Sequence, residues 1–412
     1  MELRMKKVSV IAAAVAATLA AGSAFAVDFN GYMRAGTGIS SNGNGDLAVN
    51  KNGIGRLGNE DDNYSEFGFA EDLKTGDQTW RIESMIASGA PGANGWEDAD
   101  FNVAQFAVKA KGLIASDKDA TMWAGKTYYQ RKDIHITDFY FLNTSGTGGG
   151  IENLSVGDQK LSLALIQDGE TSDSTGYIFD ARLANIGLWD DAALELAVAY
   201  NFATDSNDAT EEADDGVLAS AIIHQGMSNG FNQTVLQYGT NGYGVQAANF
   251  WGAGAYYARG TEAFNDASGF RLINWGVMNL AESWEMGHQL AYLSGSDIGG
   301  QLKDSNVYTG KNFDIDQYSV VVRPMYKWND TMRTVFEAGY NAGERIAEGG
   351  LAKEDFGNAK FTVAQAWAMG DSFWARPELR VYGTYLLDTE NDDAFNGDDT
   401  EFVFGVQAEA WW

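Results

Sequence analysis

Residues 401–412 read EFVFGVQAEAWW, and their alternation decides the fold. Phe402, Phe404, Val406, Ala408, Ala410 and Trp412 share one parity, while Glu401, Gln407, Glu409 and Trp411 share the other. A period of two marks a strand whose faces meet different solvents. The same pattern recurs upstream in Leu161, Leu163 and Leu165 and in Leu194, Leu196, Val198 and Tyr200. It returns in Tyr318, Val320, Val322, Tyr326 and Trp328, set against Gln317, Ser319, Arg323 and Lys327. Strand-like segments continue along the chain, about 17 to 19 in number, and single-chain barrels favour an even count.

Alternation alone fits two architectures: a secreted β-domain with its oily faces inward, or an outer-membrane barrel with them outward. The spacing of the segments favours the barrel. Tight turns at Gly76-Asp77-Gln78, Trp328 to Thr331 and Gly370-Asp371 alternate with long polar stretches at Ser40 to Asp62, Thr204 to Asp215, Asn341 to Asp355 and Asp388 to Thr400. Short turns at one rim and long loops at the other belong to a barrel that crosses an outer membrane. The chain also ends on an aromatic of the oily parity, Trp412. The reading is all-β: a closed antiparallel transmembrane β-barrel of about 18 strands. Pro324 and Pro377 fall in strand-like runs close to tight turns. Because proline cannot donate to the ladder, both are expected at bulges on the periplasmic rim.

Composition narrows the function. The 412 residues carry 28 basic and 57 acidic side chains, a formal charge of −29, which disfavours nucleic acid. No Cys is present, which removes disulfides, thiolate metal sites and Cys nucleophiles. Arg4, Lys6 and Lys7 precede an apolar run from Val8 to Leu19, and Ala24-Phe25-Ala26 offers a small-x-small cleavage pattern. Residues 1–26 are therefore expected to be a signal peptide and residues 27–412 one barrel domain. No later apolar stretch is long enough for a spanning helix.

A barrel of 16 to 18 strands leaves a water-filled bore. Residues of the polar register face it, and five aromatics fall there: Tyr32 with Arg34, Tyr64 with Glu66, Phe231 with Gln233, Trp374 with Arg376, and Trp411 with Glu409. Large apolar rings in a wet lumen do nothing for folding. A ligand with flat C–H faces and a hydroxylated rim, a sugar, explains them, because it stacks on rings and bonds to flanking charges.

Several stretches together resemble the maltoporin family: VDFNGYMRAG (Val27 to Gly36), RLGNE (Arg56 to Glu60), MWAGKTYYQRKDIHITDFY (Met122 to Tyr140), VRPMYKW (Val322 to Trp328), GDSFWARP (Gly370 to Pro377) and the terminal Trp411-Trp412. The resemblance covers essentially all of the chain after residue 26. It implies a trimeric, 18-stranded outer-membrane channel for passive diffusion of maltose and maltodextrins, not an enzyme and without a cofactor. The implied aromatic slide is Trp96, Tyr64, Tyr32, Trp411, Trp374 and Phe231, with Trp96 reaching a neighbouring subunit's mouth. The implied polar track is Arg34, Arg56, Glu66, Arg131 and Asp138. Tyr140 is expected to narrow the bore from an inward-folded loop running from about Arg131 to Gly150. Three departures stand out. Asn102 replaces the usual arginine, the first loop lacks cysteines and must be held otherwise, and the loop from Asp388 to Thr400 is short, which leaves the outer mouth more open.

Rival readings were weighed on their residues. His135 near Asp138 and Ser145 suggests a hydrolase, but no nucleophile turn surrounds Ser145. The run Gly146 to Gly150 lacks the Lys and helix of a phosphate cradle and is expected to be a flexible loop. The acidic pairs Asp61-Asp62, Glu211-Glu212, Asp214-Asp215, Asp392-Asp393 and Asp398-Asp399 lack calcium-loop spacing and read as solvated loop charge; a weaker reading has Ca²⁺ bridging them to lipopolysaccharide. A secreted glycosidase with Glu66 and Asp138 as its acid and base is the alternative from another class. A broader oligosaccharide or sucrose-type porin is the alternative within transport.

Overall fold

The computed structural model describes residues 27–43, 45, 47–60, 62–90, 101–170, 174–205, 214–251, 257, 264, 266–299, 313–347 and 352–412. Residues 1–26 and Trp96 lie outside the described residues, as do Asp61 and the pair Glu211-Glu212.

In chain order the strands are β1 (Asp28–Ser40), β2 (Asn63–Thr75), β3 (Gln78–Ala90), β4 (Asn102–Lys111), β5 (Thr121–Thr127), β6 (Lys132–Ile134), β7 (Phe139–Leu142), β8 (Gly146–Val156), β9 (Gln159–Glu170) and β10 (Ser174–Gly187). They continue with β11 (Ala192–Asp205), β12 (Gly216–Met227), β13 (Gly230–Thr240), β14 (Ser268–Ala281), β15 (Trp284–Ser296), β16 (Phe313–Lys327), β17 (Met332–Ala347), β18 (Lys353–Ala368), β19 (Glu378–Asp388) and β20 (Thr400–Trp411). Two short helices, α1 (Lys51–Ile54) and α2 (Gly242–Ala247), lie in the loops after β1 and β13. All strands except β6 and β7 form one 18-stranded antiparallel sheet. It closes where β1 pairs with β20, Tyr32 facing Trp411 and Thr37 facing Val406.

Sidedness settles which architecture the alternation encodes. On β20 the oily parity faces out, Phe404 being 54% exposed, while Glu401 and Glu409 are each 1% exposed. A soluble sandwich has the opposite arrangement. Aromatic clusters gird both ends of the wall, as an outer-membrane barrel requires. Phe29 stacks on Phe69 and Trp284 packs at a tilt against Tyr326 near the short turns, and Tyr177 packs on Phe202 and Tyr318 on Tyr340 near the long loops. No helix among the described residues is long and apolar enough to cross a membrane.

Among the described residues, inward-turned loops build a core inside the barrel, chiefly those after β1 and β5, with Tyr243, Phe373 and Phe395 from other connections joining it. The β1–β2 loop buries Ile54 and Leu57, and the β5–β8 loop, carrying the β6–β7 hairpin, buries Ile134, Ile136, Phe139 and Phe141. They pack on inward residues of the wall such as Val321, Met325, Val335, Ala364 and Ala366. In the absence of cysteines, polar groups pin the first loop. Glu337 accepts from the Leu57 amide at 2.9 Å, and Lys360 donates to the Leu57 carbonyl at 2.7 Å. Asn50 donates to Asn341 at 2.8 Å, and the Ser319 hydroxyl to the Gly53 carbonyl at 2.6 Å.

The structure corrects several expectations. Gly146 to Gly150 is not a flexible loop: it opens β8, where a Cβ on Gly148 would stand 2.1 Å from the Leu165 carbonyl oxygen, so its glycines serve close strand approach. The inward loop accordingly covers residues 128–145 and stops short of Gly150. The stretch from Asn341 to Asp355 is mostly strand, since β17 continues to Ala347 and β18 starts at Lys353, and the two stay paired there, Gly343 opposite Phe356 and Ile346 opposite Lys353. Gly370-Asp371 belongs to a longer connection, residues 369–377, that folds beneath the bore: the Phe373 amide donates to Glu285 at 2.7 Å, and its ring lies against Gly287. Trp374 and Arg376 therefore sit on this connection and not in a strand register, and Pro377 precedes β19 instead of occupying a bulge. Pro324 lies within β16 with no register shift; the pairing with β17 simply skips Arg323 and Pro324.

Candidate functional site: one side of the lumen

The inward loops fill the bore against β14–β19 and leave a cavity of about 360 Å³ against β1, β2 and β20. Its lining holds Tyr32, Tyr64 and Trp411 together with Arg34, Arg56, Glu66, Arg131, Asp138 and Tyr140. Three local rules bring them there. Tyr32 and Arg34 share the inward parity of β1, Tyr64 and Glu66 that of β2, and Trp411 continues the inward parity of Glu409 on β20. Arg56 follows α1 in the first loop, and Arg131, Asp138 and Tyr140 sit on the hairpin loop.

The rings form a strip. Tyr32 and Tyr64 have centroids 6.1 Å apart, and Tyr32 pairs across the closing seam with Trp411. His135 continues the strip, 5.5 Å from Trp411 and 5.4 Å from Trp374. Trp374 is 36% exposed on the connection beneath. Phe231 is set apart from these five rings: it stands on β13 against Trp275, at 5.1 Å, in a cavity of about 420 Å³ with His224 and Gln233. Asn102 opens β4 and is exposed.

Charged groups hold the rings in place. The Tyr32 hydroxyl donates to Glu409 at 2.9 Å and accepts from Arg56 at 2.8 Å. Arg376 lies over Trp411 at 4.5 Å and pairs with Glu409 at 2.8 Å. Arg34 covers Tyr64 at 5.1 Å while paired with Asp62 at 2.7 Å. The Tyr64 hydroxyl donates to Glu66 at 2.7 Å. At the narrowing, the Arg131 guanidinium is sandwiched between Tyr128 at 4.1 Å and Tyr140 at 4.7 Å, and it donates to the Tyr140 hydroxyl at 2.7 Å. Lys51 bridges Glu60 and Asp138. Opposite charges thus alternate along the strip, which suits the exchange of hydrogen bonds with neutral hydroxyls better than the capture of a net charge.

Loop titrations follow from these neighbours. Burial pushes His135 well below the ordinary imidazole value; Glu409 opposes this, and Arg56 and Arg376, each within 3.4 Å of a ring nitrogen, add to it. Burial raises Asp138, but Arg56 and Lys51 outweigh it and hold the carboxyl below its usual range. Burial and then the Asp138 charge raise Asp133.

Tyr128, Asp133 and His135 line the cavity as well, and the sequence reading missed them in that role. They lie within the YYQRKDIH run, where the loop has no strand parity to reveal its facing. His135 is enclosed by Arg56, Arg376 and the two tryptophans, and it forms no hydrolytic triad with Ser145, whose amide bonds to Asn143. Glu66 and Asp138 are each tied to fixed partners, Tyr64, Tyr128 and Arg131 for the first and Lys51 for the second.

Known proteins match this arrangement. The solved structure of OpdK from Pseudomonas aeruginosa, with vanillate, aligns over 94% of this chain and 99% of its own at 12% identity and a TM-score of 0.50, a likeness of fold alone. A maltoporin of Vibrio cholerae serotype O1 is 82% identical over all of both chains, and one of Photobacterium profundum is 44% identical over 94% of each. The LamB porin model matches residues 27–412. With a closed 18-stranded barrel, an oily exterior and a polar bore, the chain belongs to the LamB porin family of outer-membrane channels.

Proposed function

We propose that the bore passes maltose and maltodextrins down their gradient, the glucan sliding over Tyr64, Tyr32, Trp411 and Trp374 while its hydroxyls exchange partners among Arg34, Arg56, Glu66, Arg131 and Asp138. The observation that carries this reading is the strip itself. Tyr64, Tyr32 and Trp411 face the cavity, steadied by charged partners such as Glu409 and Arg376, and Trp374 continues the line through His135, so that ring faces are presented to pyranose C–H groups. The maltoporin relatives support the sugar class. Tyr140, held by Arg131, narrows the path. By its resemblance to the family Trp96 is a further member of the slide, and Phe231 releases the sugar below the strip. The exported chain, freed of residues 1–26, works as a homotrimer in outer-membrane lipid and lipopolysaccharide.

Binding in such a channel is shallow, because tight binding slows exit: a site near 1 mM corresponds to about −4 kcal/mol, a few ring stacks. In planar bilayers, Tyr32→Ala and Trp374→Ala each weaken maltotriose block of the ion current about fivefold, the worth of one stack. Wild-type block in both variants would remove the slide from the account. Liposome swelling across a sugar series separates maltodextrins from sucrose: faster swelling with sucrose than with maltose would favour the sucrose-type alternative.

A further inference from the structure

A third cavity, of about 620 Å³, opens on the loop side against the filled flank, and it shares no lining residue with the strip. Aromatic rings line this cavity as well. Phe356 on β18 has the inward parity of Lys360 and Thr362, yet it is only half-buried, as are Phe250, Trp251 and Phe264 from the β13–β14 loop. Phe356, Trp251 and Phe264 rest on the apolar cluster of Val245, Ala248, Ile298 and Phe313 and turn their remaining surface to the cavity. Arg345 lies over Phe356 at 4.5 Å and is paired with Glu354 at 3.4 Å. The floor is made of neutral amides: Asn50 donates to Asn341 at 2.8 Å and to Asn358 at 3.3 Å.

This chemistry selects one ligand class. Arg345 is already neutralised, and Asp388 adds a further negative charge at the rim, so anions are disfavoured. Ring faces beside fixed amides suit a neutral, hydroxyl-rich chain with apolar C–H faces, in a volume within the roughly 300–1,000 Å³ usual for small-molecule sites. The cavity wall also touches the loop that makes the narrowing. The Tyr140 amide donates to the Trp251 carbonyl at 3.3 Å, and Phe139 packs on Phe250 at 5.1 Å.

We propose that this vestibule is a separate capture site for neutral oligosaccharide, holding the chain before it threads past Tyr140 onto the strip. The proposal rests on the glucan-channel reading given above, and two measurements keep the two apart. In bilayers holding oriented full-length channels, maltohexaose is added to one side at a time. Phe356→Leu, which keeps apolar packing but loses the ring, and Trp251→Ala are each expected to lower the ratio of loop-side to turn-side association rates about fivefold. An unaltered ratio in both variants overturns the proposal. Crystals soaked in maltohexaose supply the independent readout. Sugar on Phe356 and Trp251 supports the vestibule, whereas sugar along Tyr64, Tyr32 and Trp411 alone overturns it and leaves the slide standing. Sugar in neither place overturns both.

Discussion

The two flanks of the bore are built from one continuous wall but serve different ends. Against β14–β19 the inward residues are apolar as often as polar: Ile273, Val321, Met325, Val335, Ala364 and Ala366 are all buried under the inserted loops. Against β1, β2 and β20 the inward residues are Tyr32, Arg34, Tyr64, Glu66, Glu409 and Trp411, and a cavity stands open. The first flank is a miniature core that fixes the loops, and the second is a working surface those loops complete. Arg56 shows the dependence: its loop is anchored to the filled flank through Leu57, while its guanidinium reaches Tyr32 and Glu409 on the open one.

Breaking the filled flank is expected to have the largest effect. Glu337 pairs there with Arg323 and Lys360, all three buried, and also receives the Leu57 amide. Glu337→Ala strands two buried cations and an amide, a loss of about 3–5 kcal/mol in unfolding free energy, read as a lower urea midpoint of the detergent-solubilised protein. Sugar affinity should fall with it, because the released loop carries Arg56. Replacing the triad by apolar residues of similar volume should be far milder, since removing a whole buried charge cluster leaves no orphan. A wild-type midpoint in Glu337→Ala would mean that the loops are not held from this side.

The next contrast is sharper because it lies between neighbours. Trp411 faces the lumen under Arg376, and Trp412 faces lipid against Phe29 and Phe67. Trp411→Ala should weaken maltotriose binding about fivefold, and Trp412→Ala should instead lower unfolding free energy by about 1 kcal/mol, in keeping with a lost aromatic contact. If both variants changed the same property, the division between slide and girdle would fail.

That pair also shows what was legible in the sequence. On β20 Glu401, Gln407 and Glu409 turn inward while Phe402, Phe404 and Val406 turn outward, so period two sufficed to place Tyr32, Tyr64, Phe231 and Trp411 in the lumen and to choose barrel over sandwich. The filled flank was opaque to the same rule, because Val321 and Met325 share the inward parity of Arg323 and are oily only because loops cover them. Loop residues carry no parity at all. Tyr128 and the facing of His135 thus went unread, and Trp374 reached the strip by a folded connection that had looked like strand. Phe356 was overlooked for a different reason: its stretch is polar enough to pass for loop, yet it is strand with an inward ring.

The smallest expected effect is that of pH on the open flank, and its smallness is informative. An ordinary imidazole titrates near 6.5 and would add a positive charge beside Arg56 and Arg376 as pH falls. In the folded channel burial and those two guanidiniums depress the value well below 6.5, so His135 stays neutral and the ring remains a plain link between Trp411 and Trp374. Maltotriose block and ion selectivity should therefore vary less than about twofold between about pH 8 and pH 6. A step with a midpoint near 6.5 that disappears in His135→Asn would show the imidazole to be ordinary and the strip wetter there than its geometry implies. A slope that survives His135→Asn but vanishes in Asp133→Asn would assign the proton to the raised carboxyl on the same loop. The neutral link at His135 would then be intact, and the charge balance of the track would shift on its acidic side instead.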